Sequence, residues 1–388
     1  MEELIALYKS LLYRTDTSFI RYLHGKIDWK ARMIGIVGAR GVGKTTLLLQ
    51  HIKLRLDTEK TIYADAGNIY FAENRLFDFA QSFYKNGGKH LFIDEIHKYA
   101  DWSKELKMCY DYFPDMQIVF TGSSILDIYR GSDDLSRRAL SYFMAGMSFR
   151  EYLMVSHKIQ APVYSLAQIL ANKVSLPAEH PLPIYKQYLQ KGYYPFFMEA
   201  EYEQRLQNVI TQTLENDIPL FAKMNAATSR KLKQLLYIVA QSVPFKPNIN
   251  KIAEMTEVNR NQIKDYLCYM EQAGLIIQLK NNAGGLNSLG KVEKIYLQNP
   301  NLIYCLANQN ANAGNLRETF FINQMEVNNK VLSSDKADFS IGKYTFEVGG
   351  KNKTKKQILG TGNAFIVKDD IEFGSKNVIP LWAFGLNY

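Results

Sequence analysis

Five short apolar segments alternate with amphipathic stretches along the first 147 residues of the chain. The apolar segments are 33–37, 61–64, 90–93, 117–120 and 141–145. Between them, apolar side chains recur every three or four residues, as they do from Phe71 to Phe83. Short apolar strands that alternate with helices are typical of a parallel sheet with helices on both faces. The pattern therefore predicts an α/β domain over residues 1–147.

The pattern changes beyond residue 147. Residues 148–228 show mostly helical spacing that prolines interrupt, and they predict a helical lid or linker with a break that begins at 215–219. Residues 229–310 contain three helical stretches and two strand-like segments, which predict a winged helix-turn-helix. These elements are 230–242, 249–256, 261–273, 275–279 and 294–297. Residues 311–388 mix one helix with short strands and predict a small α/β domain.

One glycine-rich motif lies between the first apolar segment and a helical stretch. Residues 38–45 read G-A-R-G-V-G-K-T, which is the phosphate-loop pattern. Its glycines allow backbone N–H groups to surround phosphates, Lys44 would reach the β and γ phosphates, and Thr45 would ligate Mg²⁺. A chance glycine-rich turn is the remote alternative. The predicted contacts with ATP are Gly38, Ala39, Arg40, Gly41, Val42, Gly43, Lys44, Thr45 and Thr46.

Two acids follow the third apolar segment. Asp94 would hold the Mg²⁺ that Thr45 ligates through the water shell of the ion, and Glu95 would polarise the water that attacks the γ-phosphate. The alternative is a solvated pair of acids at the end of a strand. After the fourth segment comes Thr121-Gly122-Ser123-Ser124, where a hydroxyl, predicted to be that of Ser123, would sense the γ-phosphate. This segment also reads as an ordinary turn with a serine cap.

Composition narrows the class of protein. The net charge of +9 and the isoelectric point near 9.1 favour polyanionic partners, nucleic acid and above all DNA. No apolar run approaches 18 residues and the N-terminus does not read as a secretory signal, so we expect a cytoplasmic protein without a membrane partner. Its cysteines, Cys109, Cys268 and Cys305, stand apart from one another, which argues against disulfides and zinc.

The third helical stretch of the predicted winged helix begins with polar side chains suited to DNA. We expect Arg260, Asn261, Gln262 and Lys264 to contact bases and phosphates. The alternative, weighed equally, is that this region serves only for packing or for protein contacts.

The last segment carries acids in an arrangement that a metal-dependent nuclease requires. Glu318, Asp338 and Glu347 would hold Mg²⁺, and Lys351 would position the attacking water. The usual spacing is acid-x-lysine, however, and position 349 is glycine. A degenerate nuclease fold that binds without cutting, or a purely structural domain, is therefore favoured over an active nuclease.

Several motifs together resemble those of a known family. They are G-A-R-G-V-G-K-T, L-F-I-D-E-I-H-K, V-F-T-G-S-S, S-R-R-A and S-F-R-E-Y-L. They resemble the AAA-type ATPases of bacteria and archaea called the AAA_14 and DUF4143 family. The resemblance implies a phosphate-loop ATPase core with an added strand and a C-terminal domain of restriction-endonuclease fold. It also implies a basic residue at Arg137 or Arg138, preferably Arg138, that acts as a γ-phosphate sensor or arginine finger.

The leading hypothesis is a Mg²⁺-dependent ATPase whose hydrolysis switches a nucleic-acid-binding C-terminal half. Two alternatives remain, a regulatory scaffold that uses ATP occupancy as a slow switch and an ATP-controlled nuclease. A dimer or ring would be required if Arg138 acted on the nucleotide of a neighbouring chain.

Overall fold

The computed structural model describes residues 1–122, 135, 137–177, 180–241, 244–281, 291–307, 312–354, 358 and 360–388, except for the side chains of residues 226 and 227. The chain divides into two compact units, Met1–Gly146 and Met147–Tyr388. Each unit has its own sheet and is described by itself. Within the described ranges, no helix combines the length and apolar character that a membrane crossing requires.

The first unit contains a five-stranded parallel sheet, as the sequence predicts. Its strands are β1 (Met33–Val37), β2 (Thr61–Asp65), β3 (His90–Asp94), β4 (Gln117–Gly122) and β5 (Leu140–Phe143). The strand order is β2-β3-β4-β1-β5, so that β4 lies between the strand before the phosphate loop and the strand that ends in the acids. Because all strands are parallel, their carboxyl ends share one edge.

Helices cover both faces of this sheet. They are α1 (Glu2–Arg14), α2 (Lys44–Arg55), α3 (Tyr70–Glu73), α4 (Leu76–Lys85) and α5 (Trp102–Tyr112). Alternate strand residues enter two separate apolar cores, one with Met33 and Val37 and the other with Ile34 and Ile36. Burial on both faces explains why these strands read as continuous apolar runs.

The second unit begins with helices. They are α6 (Phe149–His157), α7 (Leu166–Leu170), α8 (Pro181–Lys191), α9 (Tyr202–Gln212), α10 (Ile218–Ala222), α11 (Ala226–Gln241), α12 (Ile249–Thr256) and α13 (Arg260–Gln272). A π-helical turn, Thr213–Asp217, joins α9 to α10, where the sequence suggests a break. Local chemistry sets several starts, since Ser148 and Glu151 form a capping box for α6 and Asn259 caps α13.

Strands and two more helices complete the second unit. An antiparallel ribbon pairs β6 (Ile276–Lys280) with β7 (Val292–Leu297) and precedes α14 (Pro300–Ala307) and α15 (Ala313–Met325). The remaining strands are β8 (Val331–Ser333), β9 (Phe339–Ile341), β10 (Tyr344–Gly349), β11 (Ala364–Lys368) and β12 (Val378–Pro380). They form a mixed sheet in the order β12-β11-β10-β9-β8. The helices and the ribbon fall near their predicted places, and the winged-helix and restriction-endonuclease classes stay predictions.

Candidate functional site

The phosphate loop joins β1 to α2 at the carboxyl edge of the first sheet. Gly41 and Gly43 have φ angles of 82° and 97°, in the left-handed region that side chains with a Cβ rarely adopt. At Gly38 a Cβ would lie 2.4 Å from the carbonyl oxygen of Met144, so no side chain fits there. The motif glycines are thus required by backbone geometry and by close packing.

Lys44 opens α2 and its side chain turns back over the loop. Its Nζ donates hydrogen bonds of 2.9 Å to the carbonyl oxygens of both Gly38 and Ala39. Thr45 and Thr46 follow in the first helical turn, where backbone N–H groups lack partners within the helix. These N–H groups and the ammonium provide the positive end that attracts a phosphate.

Asp94 ends β3 and is buried beside the start of α2. Thr45 Oγ1 donates to Asp94 Oδ2 at 2.5 Å, and the Tyr63 hydroxyl donates to the same oxygen at 2.8 Å. Thr121 donates to Asp94 Oδ1. Burial, reinforced by Asp94, raises the pKa of Tyr63, which therefore remains a neutral donor. A hydroxyl and a carboxylate side by side are the oxygen ligands that Mg²⁺ prefers, so these residues fit that ion.

Glu95 has a backbone conformation that is uncommon for a residue with a side chain, with φ 48° and ψ 41°. Its N–H donates to Thr121 Oγ1 at 3.1 Å, which fixes the turn. Its Oε2 lies 3.8 Å from His97 Nε2 and 3.6 Å from Lys98 Nζ. Among the described residues, no donor makes a hydrogen bond to this buried oxygen. A buried carboxylate oxygen in this state is suited to accept a proton or a water.

A cavity of about 330 Å³ opens beside these groups. Its polar lining includes Arg40, Thr45, Asp94, Glu95 and Lys98, and its apolar wall comes from α1. Burial raises the pKa of Asp65, which also lines the cavity, while Lys98 opposes this shift. The cavity provides space for the terminal phosphate of a nucleotide next to the two acids.

Arg138, which is also predicted for this site, lies elsewhere within the described part of the chain. Arg138 forms a two-point ion pair with Asp111, at 3.1 Å for each bond, and precedes β5 at the amino end of the sheet. Since Val37 is aligned with Phe143, the phosphate loop begins about 10 Å along the sheet from Leu140, and Arg138 precedes Leu140. Within one chain, Arg138 is therefore not brought to the loop. Ser123 lies outside the described residues.

The predicted acids of the second unit all pair with lysines, two of them with the same one. Lys294 Nζ, on β7, lies 3.2 Å from both Glu318 Oε2 and Asp338 Oδ1. The Tyr296 hydroxyl donates to the same oxygen of Glu318 at 2.7 Å. Burial, and next the Asp338 charge, raises the pKa of Glu318, while Lys294 opposes this shift. A tethered ammonium thus lies between two carboxylates that a nuclease would use for a metal ion.

The lysine beside Glu347 is not the one that the sequence predicts. Glu347 Oε1 forms an ion pair with Lys353, whereas the backbone carbonyl of Lys351 accepts a bond from Lys368. The lysine that pairs with Glu347 is therefore Lys353 and not the predicted Lys351, because β10 ends at Gly349 and the chain turns at 350–353. A Cβ at Gly349 would lie 2.6 Å from the stem of Lys353, which crosses this position. In the described ranges, no cluster of three His, Cys, Asp or Glu side chains is arranged to hold a metal ion.

The polar side chains predicted to contact DNA lie at the start of α13. Arg260, Asn261, Gln262 and Lys264 are all exposed, while Ile263 between them is fully buried. The helix therefore presents a basic and amide-rich start to solvent, as the prediction requires.

Fold and site together define the first unit as a phosphate-loop nucleotide-binding domain. Residues 30–153 match the AAA_14 family, described as an AAA domain, and this match supports ATP binding and hydrolysis at the level of the family. Residues 182–313 match DUF8612, a domain of unknown function. DUF8612 thus takes the place of the DUF4143 that the sequence motifs suggest.

Similar proteins add distant relatives. The chain is 26% identical over 271 residues to the uncharacterised protein MJ1637 of Methanocaldococcus jannaschii, covering 64% of this chain and 57% of that protein. The match thus spans little more than half of the relative's length. The Walker-type ATPase PABY2304 of Pyrococcus abyssi aligns with a TM-score of 0.46 and 11% identity, covering 74% of this chain and 96% of its own. The Hsp104-ADP complex of S. cerevisiae aligns with a TM-score of 0.28 and 16% identity, covering 70% of this chain and 40% of its own.

Several site residues were not anticipated from the sequence. Tyr63 lies inside an apolar strand, where a tyrosine normally reads as core, and only its contact with Asp94 gives it a role. Lys294 and Lys353 are ordinary lysines in sequence. Of these two lysines, the sequence indicates only Lys353. Because position 349 is glycine, the lysine of the acid-x-lysine pattern has to come from a nearby position.

Proposed function

We propose that this protein binds Mg·ATP at the carboxyl edge of its first sheet and hydrolyses it. The observation that carries the proposal is the contact between Thr45 and Asp94, beside a loop whose N–H groups and Lys44 face the place of the phosphates. Glu95, whose buried Oε2 accepts no hydrogen bond from the described residues at the same cavity, supplies the acceptor that hydrolysis requires. Binding alone would not need this third component.

Each side chain has a separate task in this proposal. Lys44 leaves its two carbonyl partners and binds the β and γ phosphates, where its charge stabilises the departing group. Thr45 and Asp94 are the residues that would hold Mg²⁺, which when bound neutralises charge on the phosphate oxygens. Glu95 orients the attacking water and accepts its proton. Thr121 and Tyr63 keep the Asp94 carboxylate in place through their hydrogen bonds.

Replacing Glu95 with glutamine tests the hydrolytic step. Glu95→Gln should keep its affinity for Mg·ATP within about threefold and lower the rate of phosphate release about 100-fold or more, because an amide cannot accept the proton. Glu73→Gln, an exposed change on α3, is the matched control and should hydrolyse ATP normally. Normal turnover by Glu95→Gln would remove Glu95 from the mechanism.

We further propose that hydrolysis switches the second unit and that this unit binds DNA through α13. The exposed Arg260 and Lys264 and the net charge of +9 support this proposal. The pairing of the predicted acids with lysines favours a domain that binds without cutting over an ATP-controlled nuclease. Incubation of plasmid with Mg²⁺ or Mn²⁺ and ATP should accordingly leave the DNA intact.

A salt titration measures the contribution of α13. Replacing Arg260 and Lys264 together with alanine should lower the slope of log affinity against log salt by about 2, since each phosphate contact contributes close to one. The control is the exposed pair Lys158→Ala and Lys173→Ala. DNA should also raise the ATPase rate of the wild type. A protein that neither binds DNA nor responds to it would instead be the ATP-dependent scaffold.

A further inference from the structure

Arg21 lies between α1 and β1 and is buried, with 8% of its surface exposed. Its guanidinium donates to the carbonyl oxygens of Val42 at 2.6 Å, Ala145 at 2.7 Å and Gly146 at 2.8 Å. Val42 belongs to the phosphate loop, and Ala145 and Gly146 are the last residues of the first unit. One side chain thus joins the nucleotide loop to the point where the chain leaves this unit.

Two further contacts make this connection stiff. Met144 packs so closely on Gly38 that a Cβ there would be 2.4 Å from its carbonyl oxygen. On the other side, the buried amide of Gln50 in α2 donates to the carbonyls of Asp16 and Phe19, both at 2.8 Å. The segment that carries Arg21 is therefore fixed to the same helix that begins with the phosphate-binding turn.

The geometry of a peptide group explains what Arg21 does for the loop. The carbonyl of Val42 and the N–H of Gly43 belong to one planar trans peptide and point in opposite directions. A guanidinium that holds the carbonyl outward therefore keeps the N–H directed inward, towards the phosphates. Bonds from a charged donor are stronger than those between neutral groups, and burial strengthens them further.

We infer that Arg21 is a positioning residue that orients the Val42–Gly43 peptide for phosphate binding and couples nucleotide occupancy to Ala145 and Gly146. The inference rests on the proposed function, because it requires that the loop bind the phosphates of ATP. The segment before β1 thereby contributes to the affinity for ATP and to the coupling between bound nucleotide and the end of the first unit.

Arg32 offers a matched control in the same unit. It also donates to a backbone carbonyl, that of Tyr110 at 2.7 Å, and its guanidinium lies 3.9 Å from the centre of the Tyr110 ring. It precedes β1 and so lies at the amino edge, away from the loop. Arg32→Met removes comparable contacts without touching the nucleotide site.

The test compares Arg21→Met, Arg21→Lys and Arg32→Met in the full chain. Two quantities are measured, the affinity for a fluorescent ATP analogue with Mg²⁺ and the protection from hydrogen exchange that the nucleotide induces in residues 140–146. Arg21→Met should bind about tenfold more weakly and lose the induced protection. Arg21→Lys, which keeps the charge but cannot serve three carbonyls, should lie between it and the wild type. Arg32→Met should stay within about twofold of the wild type and keep the protection.

The outcomes separate the inference from the proposed function. If the wild type binds ATP and both Arg21 variants retain its affinity and its induced protection, the inference is wrong and the proposed function stands. An equal loss in Arg32→Met would show a general effect of stability and would also overturn the inference. Should Arg21→Met not fold, Arg21→Lys decides by the same two measurements. A wild type that binds no nucleotide would contradict both.

Discussion

Asp94 in the first unit and the predicted acids of the second unit are held in opposite ways. In the first unit, the described hydrogen bonds to Asp94 come from the hydroxyls of Thr45, Tyr63 and Thr121 and from one backbone N–H, all of them neutral. In the second unit, Lys294 pairs with two acids at once and Lys353 pairs with Glu347. A carboxylate held by neutral donors leaves its charge for an external cation, whereas a cation of the protein already occupies the place beside a paired one. Acids alone therefore do not identify a metal site.

The largest effect should come from removing the cation of the first site. Lys44→Ala should abolish detectable binding of Mg·ATP, a loss of about 100-fold or more, because its ammonium is the side-chain charge that faces the phosphates. Equilibrium binding of a fluorescent ATP analogue measures this loss. Lys85→Ala, an exposed change at the end of α4, should bind as the wild type does. Retained binding in Lys44→Ala would remove the distinction between the two sites.

Removing the cation of the second site should cost stability instead. Lys294→Met leaves Glu318 and Asp338 facing each other and should lower the free energy of unfolding of the second unit by about 3 kcal/mol. Urea denaturation measures this change. Because two unpaired carboxylates then become available, Mn²⁺ should restore part of the stability in the variant and none in the wild type.

Lys291→Met is the control for that experiment, since Lys291 adjoins the same ribbon and is exposed. It should leave stability unchanged within about 0.5 kcal/mol. A Lys294→Met protein as stable as the wild type would show that the ammonium contributes nothing between the two acids.

Glu326 extends the comparison, because burial favours its protonated form, whereas the predicted acids of this unit pair with lysines. Burial raises its pKa to about 8, although Gln298 donates to it at 2.7 Å and opposes the shift. The folded state thus holds a proton that the unfolded state releases near pH 4.5. The contribution of Glu326 to the free energy of unfolding is fully present below that pH and is lost as the pH rises towards 8.

Glu326→Gln should remove this loss. Between pH 5 and pH 8 the second unit of the wild type should lose of the order of 2 kcal/mol more than the variant does. Urea denaturation at both pH values measures the difference, with the exposed Glu254→Gln as control. Parallel pH profiles for wild type and Glu326→Gln would show that Glu326 is ionised in the fold.

The first unit could be predicted in more detail than the second because its signals are local. The phosphate loop and the strand that ends in Asp94 and Glu95 are each contiguous, and parallel pairing brings their carboxyl ends together. The cluster of the second unit is assembled from a distance, since Lys294 is 24 residues from Glu318 and 44 from Asp338. The periodicity of apolar residues in the sequence does not predict contacts between polar side chains so far apart along the chain.

Local signals also failed where the backbone departs from the common geometries. The segment before Pro219 predicts a break, yet the π-helical turn Thr213–Asp217 leads directly into α10, with Pro219 in its first turn, where no N–H partner is needed. Similarly, the chain turns after Gly349, so that Lys353 pairs with Glu347 in place of the predicted Lys351. Strand spacing cannot be extrapolated past the end of a strand.

Counting bound Mn²⁺ with and without nucleotide tests the central contrast most directly. The free-ion signal in electron paramagnetic resonance gives the number of tightly bound ions per chain. The account predicts one Mn²⁺ in the presence of a slowly hydrolysed ATP analogue, lost in Lys44→Ala, and none without nucleotide. A Mn²⁺ ion that binds tightly without nucleotide and disappears in Glu347→Gln would contradict it.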